Sequence, residues 1–459
     1  MGDLSARAMA AYDAIRDETG ALRTPYAAFQ ARTGIDVTQP PEPVVSDLLR
    51  CSLVGSQEIY PVPFILDEDE YHSTIVPAML QRAFLLQALF EDVAIGSTKL
   101  LNAGILAADE LDRILLSEGA SIASLRRLWH GQPREQIRFV YGPDLVQSRA
   151  GNWVVLEDNV GCVGGVAHAS ATLEAYLQAT GLPAEIPCGA RGDLEQAVNA
   201  FLDRTGVNRN QGGLYGFAGW NSPGGGCSPD FETRRKADCL RSFGIAVTDP
   251  DELLDRLCRE TTEISAIVNL SSTMSPAYQS LATYFFKMSN VPVFGAPCVG
   301  LVASKSFLPF DEDLARLYLD EPLMIRSASS RLIRKPPDRL PSEGVLKRSN
   351  GCQGTEVYFL EDLRDDAARG VLLAALRGWG PCASIWQELV ERSVLPGSEP
   401  GRRSAILELR PIVYVYGWRA ALVAQVLAGR AITTGGRLGN VSRGACLLPV
   451  LRQVLPGKK

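Results

Sequence analysis

Along residues 73–95, STIVPAMLQRAFLLQALFEDVAI, apolar positions recur at helical spacing, and Ile75, Met79, Leu86 and Phe90 fall on one face. The spacing predicts an amphipathic helix whose Met and Phe stripe packs into a core. Similar patterns cover 107–117 and 121–130, so the front third reads as a helical layer that follows a Pro-rich stretch, TQPPEPVV, at 38–45. From residue 137 the pattern changes to that of strands. IRFVYGPDL (137–145) and NWVVLEDN (152–159) flank the turn-like SRAGN and predict a hairpin.

Residues 196–325 alternate short apolar runs with helical ones. Strands are expected at 214–219, 244–249, 264–270 and 291–297, and helices near 230–242, 251–260 and 276–288. That βαβα rhythm predicts a mainly parallel sheet with helices on its faces. Residues 326–342 are basic and Pro-rich and read as a connector. Strands then return in GVLKRS, TEVYFL, SIWQELVE, SAILELRPIVYVY and ALVAQVLAG. The expected class is α/β (α+β), with units at 1–135, 136–195, 196–325 and 326–459.

Composition narrows the function. A chain of 459 residues, 46% apolar and 21% charged, can bury large cores without staples. A net charge of -6 and a pI near 5.4 argue against nucleic acid as a partner. No uninterrupted apolar run suits a membrane span, and the opening residues carry acids without a hydrophobic segment, which is no secretory signal. Ten cysteines without a C-x-x-C pair read as reduced thiols of a cytoplasmic protein. Three histidines argue against a His-rich zinc site and a Ser-His-Asp machine. GAPCVGLVASK (295–305) has phosphate-loop glycines, but Leu301 stands where the lysine is needed.

Five segments carry candidate chemistry. In the hairpin, Glu157 and Asn159 share one strand face, and a turn at 149–152 sets Asp144 opposite Glu157. Opposed carboxylates repel, so something positive should sit there. These oxygens suit Mg²⁺; they equally suit an acidic strand end in water. VLKRSNGCQGTEVYF (345–359) ends a strand on Lys347 and continues into a small-residue loop able to approach phosphates, or is an ordinary hairpin. SIWQELVERS (384–393) offers backbone groups to a flat base, or is an amphipathic strand end. In ILELRPIVYVYG (406–417), Glu408 and Arg410 share a face; Arg410 has either a phosphate partner or Glu408 itself. Lys305 follows GAPCVGLVAS and either reaches a phosphate or lies at the surface.

Together these segments resemble the circularly permuted ATP-grasp ligases over roughly 137–459, and weakly over the front third. The resemblance is carried by YGPDLVQSRAGNWVVLEDN, by NVPVFGAPCVGLVASKSFLPF with LYLDEPLMI, by VLKRSNGCQGTEV, by SIWQELVERSVLPG and by LELRPIVYVYGWRAALVAQ. Glu157 and Asn159 precede Lys305 and Lys347, whereas in an unpermuted enzyme the E-x-N strand comes last. The resemblance implies an N-terminal helical segment, a metal-binding hairpin half of the core, an inserted Rossmann-like unit and a final ATP-binding lid with the remaining core. It implies that Lys305 and Lys347 contact ATP and that Gly351 and Gly354 lie in a closing loop. Gln387, Glu388 and Leu389 would form the adenine hinge, with Glu391 near the ribose. Arg410, with Lys305, would stabilise the transferring phosphoryl group, and Asp144, Glu157 and Asn159 would hold Mg²⁺. Asn221 and Ser222 fall in a candidate substrate loop.

The chain departs from the pattern after E-D-N. Val160 to Gly164 replace an Arg and a Pro-Ser-Gly turn, and Ser304 replaces an acid before the first lysine. Arg437 and Arg443 are candidates for the missing cation. The activity so implied is ADP-forming ligation of a small-molecule carboxylate to an amine through an acyl phosphate, on an amino acid or small peptide, including peptides of specialised metabolism. Alternatives are a nucleotide-binding protein without catalysis, motivated by Val160 and Gly161, and an ATP-dependent small-molecule kinase.

Overall fold

A computed structural model describes residues 13–17, 19–36, 57–182, 190–208, 213–219, 231–259, 263–288, 291–351, 355–363, 365–395, 405–432 and 445–453. The fold is mixed α/β, as expected. In the front third, helices span Thr24–Thr33, Val76–Ile95, Ala108–Ser117 and Ile122–Trp129. Pro77 opens the long helix Val76–Ile95, and Gly96, at φ 96°, ends it in the left-handed region where a side chain is strained. The apolar stripe Ile75, Met79, Leu86 and Phe90 is fully buried.

The front third is not purely helical. Phe64–Asp67 forms a parallel pair with Val450–Gln453, tying the two chain ends together. The helical stretch Glu68–Ile95 is also long and apolar enough to cross a bilayer by length and composition, although polar residues interrupt its apolar run. Two-thirds of its apolar window, 67%, is buried inside the protein, and Gln81, Arg82, Gln87 and Asp92 are buried with it. It serves this fold as a core helix.

The expected strand 137–145 breaks at Gly142–Pro143 into Phe139–Tyr141 and Asp144–Gln147, which join different sheets. Gly142 is needed at the break, because a Cβ there would lie 2.6 Å from Val163 and 3.2 Å from Arg410. The first piece pairs with Val413–Gly417, which pairs with Ala420–Val423. The second enters an antiparallel sheet ordered Cys446–Leu448, Ala428–Ile432, Ala405–Arg410, Asp144–Gln147 and Trp153–Glu157. Pro411 splits the SAILELRPIVYVY run between these two sheets for the reason proline usually does: it has no N–H for the ladder.

The parallel sheet is present. Leu214–Phe217 lies between Ala246–Val247 and Ala266–Asn269, and Val293–Phe294 forms the far edge. Both edge strands are two residues long, shorter than their sequence patterns suggested. A second antiparallel sheet runs Val357–Phe359, Val345–Arg348, Ser384–Gln387 and Ser330–Leu332. Its last strand falls inside the stretch expected to be a connector. The helix Asp366–Trp379 covers this sheet through Leu372 and Leu376, packed with Leu346 and Leu360.

Candidate active site

The hairpin brings the two carboxylates together by an irregular register. Asp144 pairs with Glu157, but Leu145 pairs with Val155, Val146 with Val154 and Gln147 with Trp153. Leu156 is therefore an extra residue on its strand, a bulge that re-aims the strand end. Its carbonyl oxygen accepts from Lys347 Nζ at 3.2 Å and from Gln387 Nε2 at 3.2 Å. Lys347 and Gln387 stand on neighbouring strands of the second sheet, where Val345 pairs with Gln387 and Lys347 with Ile385. With two-residue alternation they share one face, and that face closes on the bulge.

Positive charge surrounds the carboxylates. Arg410 Nε donates to Asp144 Oδ1 at 2.7 Å, Arg410 Nη2 donates to the same oxygen, and Nη1 reaches the Gly164 carbonyl at 3.2 Å. Lys305 Nζ lies 3.4 Å from Glu157 Oε2 and donates to the Gly351 carbonyl at 2.7 Å. Glu408 does not pair with Arg410; it takes Arg430 from the adjacent strand at 3.0 Å. Acids from the early hairpin and cations from residues 305, 347 and 410 thus meet at one junction. Glu157 is the most open of the group, its side chain 23% exposed, while Asp144, Lys305, Lys347 and Arg410 are buried.

Burial sets the electrostatics. It pushes the Asp144 carboxyl up, against the pull of Arg410. At Glu157 burial acts in the same direction, but Lys305, Lys347 and Arg410 outweigh it and hold the carboxyl below its ordinary value. The two facing groups resist being ionised together. Burial lowers Lys347 to about 8, with Glu157 opposing.

The remaining hinge and loop residues lie around this junction. Glu388 N donates to Ser329 O at 2.8 Å, and its carboxylate accepts from Ser329 N at 3.0 Å. Leu389 is an exposed large apolar side chain, at 38%. Glu391 pairs with Arg149 of the hairpin turn at 3.1 Å. Asn159 Nδ2 donates to Gly142 O at 3.0 Å, which leaves its amide oxygen as the remaining acceptor. Next to Gly351, Asn350 Nδ2 donates to Ser117 O at 2.8 Å. Gly354, Asn221, Ser222, Arg437 and Arg443 lie outside the described residues.

Comparison with known proteins agrees with this architecture. Residues 63–181 match the family described as circularly permuted ATP-grasp type 2. Forty-four chains of solved structures match this protein. One is the apo form of a glutathione synthetase-like effector from Globodera pallida, with a TM-score of 0.53 and 11% identity, covering 89% of this chain and 95% of that one. Residues 63–181 are thus similar to that family, and the chain as a whole shares its fold with the effector. None of the curated proteins matches it, and at 11% identity the likeness to the effector speaks for the fold alone.

The donor set at this junction fits a hard cation. Among the described residues no three His, Cys, Asp or Glu side chains gather into a metal cage. Two carboxylates and an amide oxygen suit an ion that completes its shell with phosphate oxygens and water, the habit of Mg²⁺. Both hydrogen bonds from Arg410 to Asp144 fall on one carboxylate oxygen, Oδ1.

Three contributors were not visible in the sequence. The Leu156 carbonyl acts through a bulge that no pattern announces. Glu118, at the end of the helix Ala108–Ser117, is pushed up by burial and lies beside Ser304 and in the field of Lys305, so an acid reaches that lysine through space. Arg82, read only as part of an apolar helix, holds Asp158 from behind the carboxylate strand.

Proposed function

We propose that this protein is an ATP-dependent, ADP-forming carboxylate–amine ligase. The observation that carries the reading is the opposed pair Asp144–Glu157 ringed by Arg410, Lys305 and Lys347 at the junction of two sheets. A carboxylate is a poor electrophile at neutral pH. Its oxygen attacks the γ-phosphorus of ATP, ADP leaves, and an acyl phosphate forms. An amine nitrogen then attacks the acyl carbon, phosphate leaves, and the nitrogen loses a proton to give the amide.

The chain's own work is alignment and charge. Lys305 and Lys347 bring ammonium groups to phosphate oxygens, and Arg410 brings a planar fork to the transferring phosphoryl group. Gln387, Glu388 and Leu389 receive the adenine, with Glu391 toward the ribose, and Gly351 belongs to the loop that excludes water. Asp144, Glu157 and Asn159 hold Mg²⁺, which supplies charge neutralisation at the phosphates when bound. The acid and amine are small molecules of the amino-acid or peptide class. On this reading the units at 1–135, 136–195, 196–325 and 326–459 are a mainly helical segment, the metal-binding hairpin half of the core, a Rossmann-like α/β unit, and the ATP-binding lid with the remaining core.

The test is ADP formation across a panel of amino acids and polyamines, with ¹⁸O in the acid. A ligase forms ADP only when acid and amine are both present and moves label into phosphate. A stable phosphorylated product identifies a kinase instead, and nucleotide binding without ADP identifies a protein that has lost catalysis. The last alternative is favoured by one observation: the turn after Asn159 carries no cation, and Gly161 is packed against Thr273.

A further inference from the structure

The long helix Val76–Ile95 carries a guanidinium that this chemistry does not use. Arg82 is 2% exposed. Its Nε donates to Asp158 Oδ1 at 2.7 Å and its Nη2 to Asp158 Oδ2 at 3.0 Å. Nη2 also donates to Asp311 Oδ2 at 3.1 Å and Ser327 Oγ at 2.7 Å. The Tyr141 hydroxyl donates to Asp158 Oδ1 at 2.8 Å.

The three partners of Arg82 belong to three segments that meet at the site. Asp158 stands between Glu157 and Asn159 and points to the other side of the strand. Asp311 opens the helix Asp311–Leu319, directly after the 3-10 turn Lys305–Phe310. Ser327 bridges to Val155 and leads into Ser329, the backbone partner of Glu388. One side chain therefore spans the carboxylate strand, the lysine turn and the approach to the adenine hinge.

Stability is a poor account of this arrangement. One buried cation faces two anions, and Arg82 Nη1 has no hydrogen-bond partner. Burying such a triad costs desolvation that offsets its attraction. What a rigid planar fork does supply is direction. We propose that Arg82 is a positioning residue that fixes the Glu157–Asn159 strand against the Lys305 turn and so sets the affinity of the site for magnesium–ATP. This rests on the ligase reading above.

The experiment measures binding of a non-hydrolysable ATP analogue as Mg²⁺ is varied, together with thermal melting, in the full chain. Arg82→Lys keeps the charge and loses the fork; R82M/D158N/D311N removes all three charges together. Arg452→Lys, at a buried arginine paired with Glu68 at the N-terminal end of the long helical stretch, is the control for general loosening. Either Arg82 variant that folds should need about ten- to a hundredfold more Mg²⁺ for half-maximal binding, the usual effect of losing a group that orients metal ligands, while Arg452→Lys stays at the wild-type value. A wild-type Mg²⁺ midpoint in Arg82→Lys, or an equal shift in Arg452→Lys, overturns the assignment. Wild-type protein that takes up no nucleotide overturns the ligase reading itself, and this inference with it.

Discussion

Lys347 Nζ and the carbonyl oxygen of Leu156 are joined by a 3.2 Å hydrogen bond that crosses from one sheet to another. Gln387 Nε2 shares the same acceptor at the same distance. Both donors lie on the face assigned to the nucleotide, so binding must compete with a bond the protein already makes.

Gln387→Ala should weaken ATP binding without disturbing the chemical step. Its amide touches no group assigned to phosphoryl transfer, so KM for ATP should rise about tenfold, the worth of ~1.4 kcal/mol, with kcat little changed. Steady-state kinetics over a range of ATP decide this. A fall in kcat at constant KM would move Gln387 from the hinge to the reacting centre.

Glu157→Gln should separate chemistry from folding. The side chain is partly open but is the carboxylate that the buried Lys305 faces at 3.4 Å, so the isosteric amide keeps the shape and gives up a stabilising charge. ADP formation should fall roughly a hundred- to thousandfold, as when one transition-state donor is lost, in a protein that still folds but melts below wild type. Arg410→Ala is a harsher change, because it strands Asp144 beside Glu157 and Glu408 and should cost about 3–5 kcal/mol of stability. Arg410→Lys keeps the charge and loses the fork, so it should fold and turn over slowly. Wild-type ADP release in Glu157→Gln removes the site assignment.

How much of this was legible follows from the range of each interaction. The hairpin was legible, but the register expected of it, residue 148 opposite 153, is not the one formed: Gln147 pairs with Trp153, and Asp144 meets Glu157 only because Leu156 bulges out. The cation their repulsion demanded is present as Arg410. The bulge at Leu156 was not legible, since one extra residue leaves no mark on a period of two. The break at Gly142–Pro143 was written in the chain but read as continuous, because its cause is the approach of Val163 and Arg410 from elsewhere. Arg82 hid within an apolar helix: its partners at 158, 311 and 327 are distant in sequence, and helical periodicity reports only that a face is buried. The parallel sheet was legible because each of its strands is a local apolar run.

Lys305→Met should loosen the loop that Lys305 holds. Without nucleotide, its ammonium donates to Gly351 O at 2.7 Å. Protease should cut near residues 349–351 faster in the variant than in wild type, and the difference should widen when ATP and Mg²⁺ protect wild type but not the variant. Equal cutting rates without nucleotide would show that the tie does not restrain the loop.

Glu232 gives a stability prediction independent of the site. Its carboxylate accepts from the backbone N–H of Ala167 and His168, lies 2.8 Å from His168 Nδ1 and 3.3 Å from Lys236 Nζ, and so clamps the start of the helix Val166–Thr180 to the helix Phe231–Ser242. Burial alone would raise this carboxyl, but Lys236 and His168 outweigh it and hold it at about 2, below its ordinary 4.5. An acid lowered on folding contributes stability that is fully present above its unfolded value and is lost as pH falls through the folded one. The contribution is about 3 kcal/mol and should disappear between pH 4.5 and 2. Glu232→Gln should therefore be less stable at pH 7 and show a flatter acid limb, the two proteins converging near pH 2. Urea melts at pH 7, 4 and 3 measure the difference, and parallel acid limbs would mean that Glu232 is not the group whose protonation loosens this pair of helices.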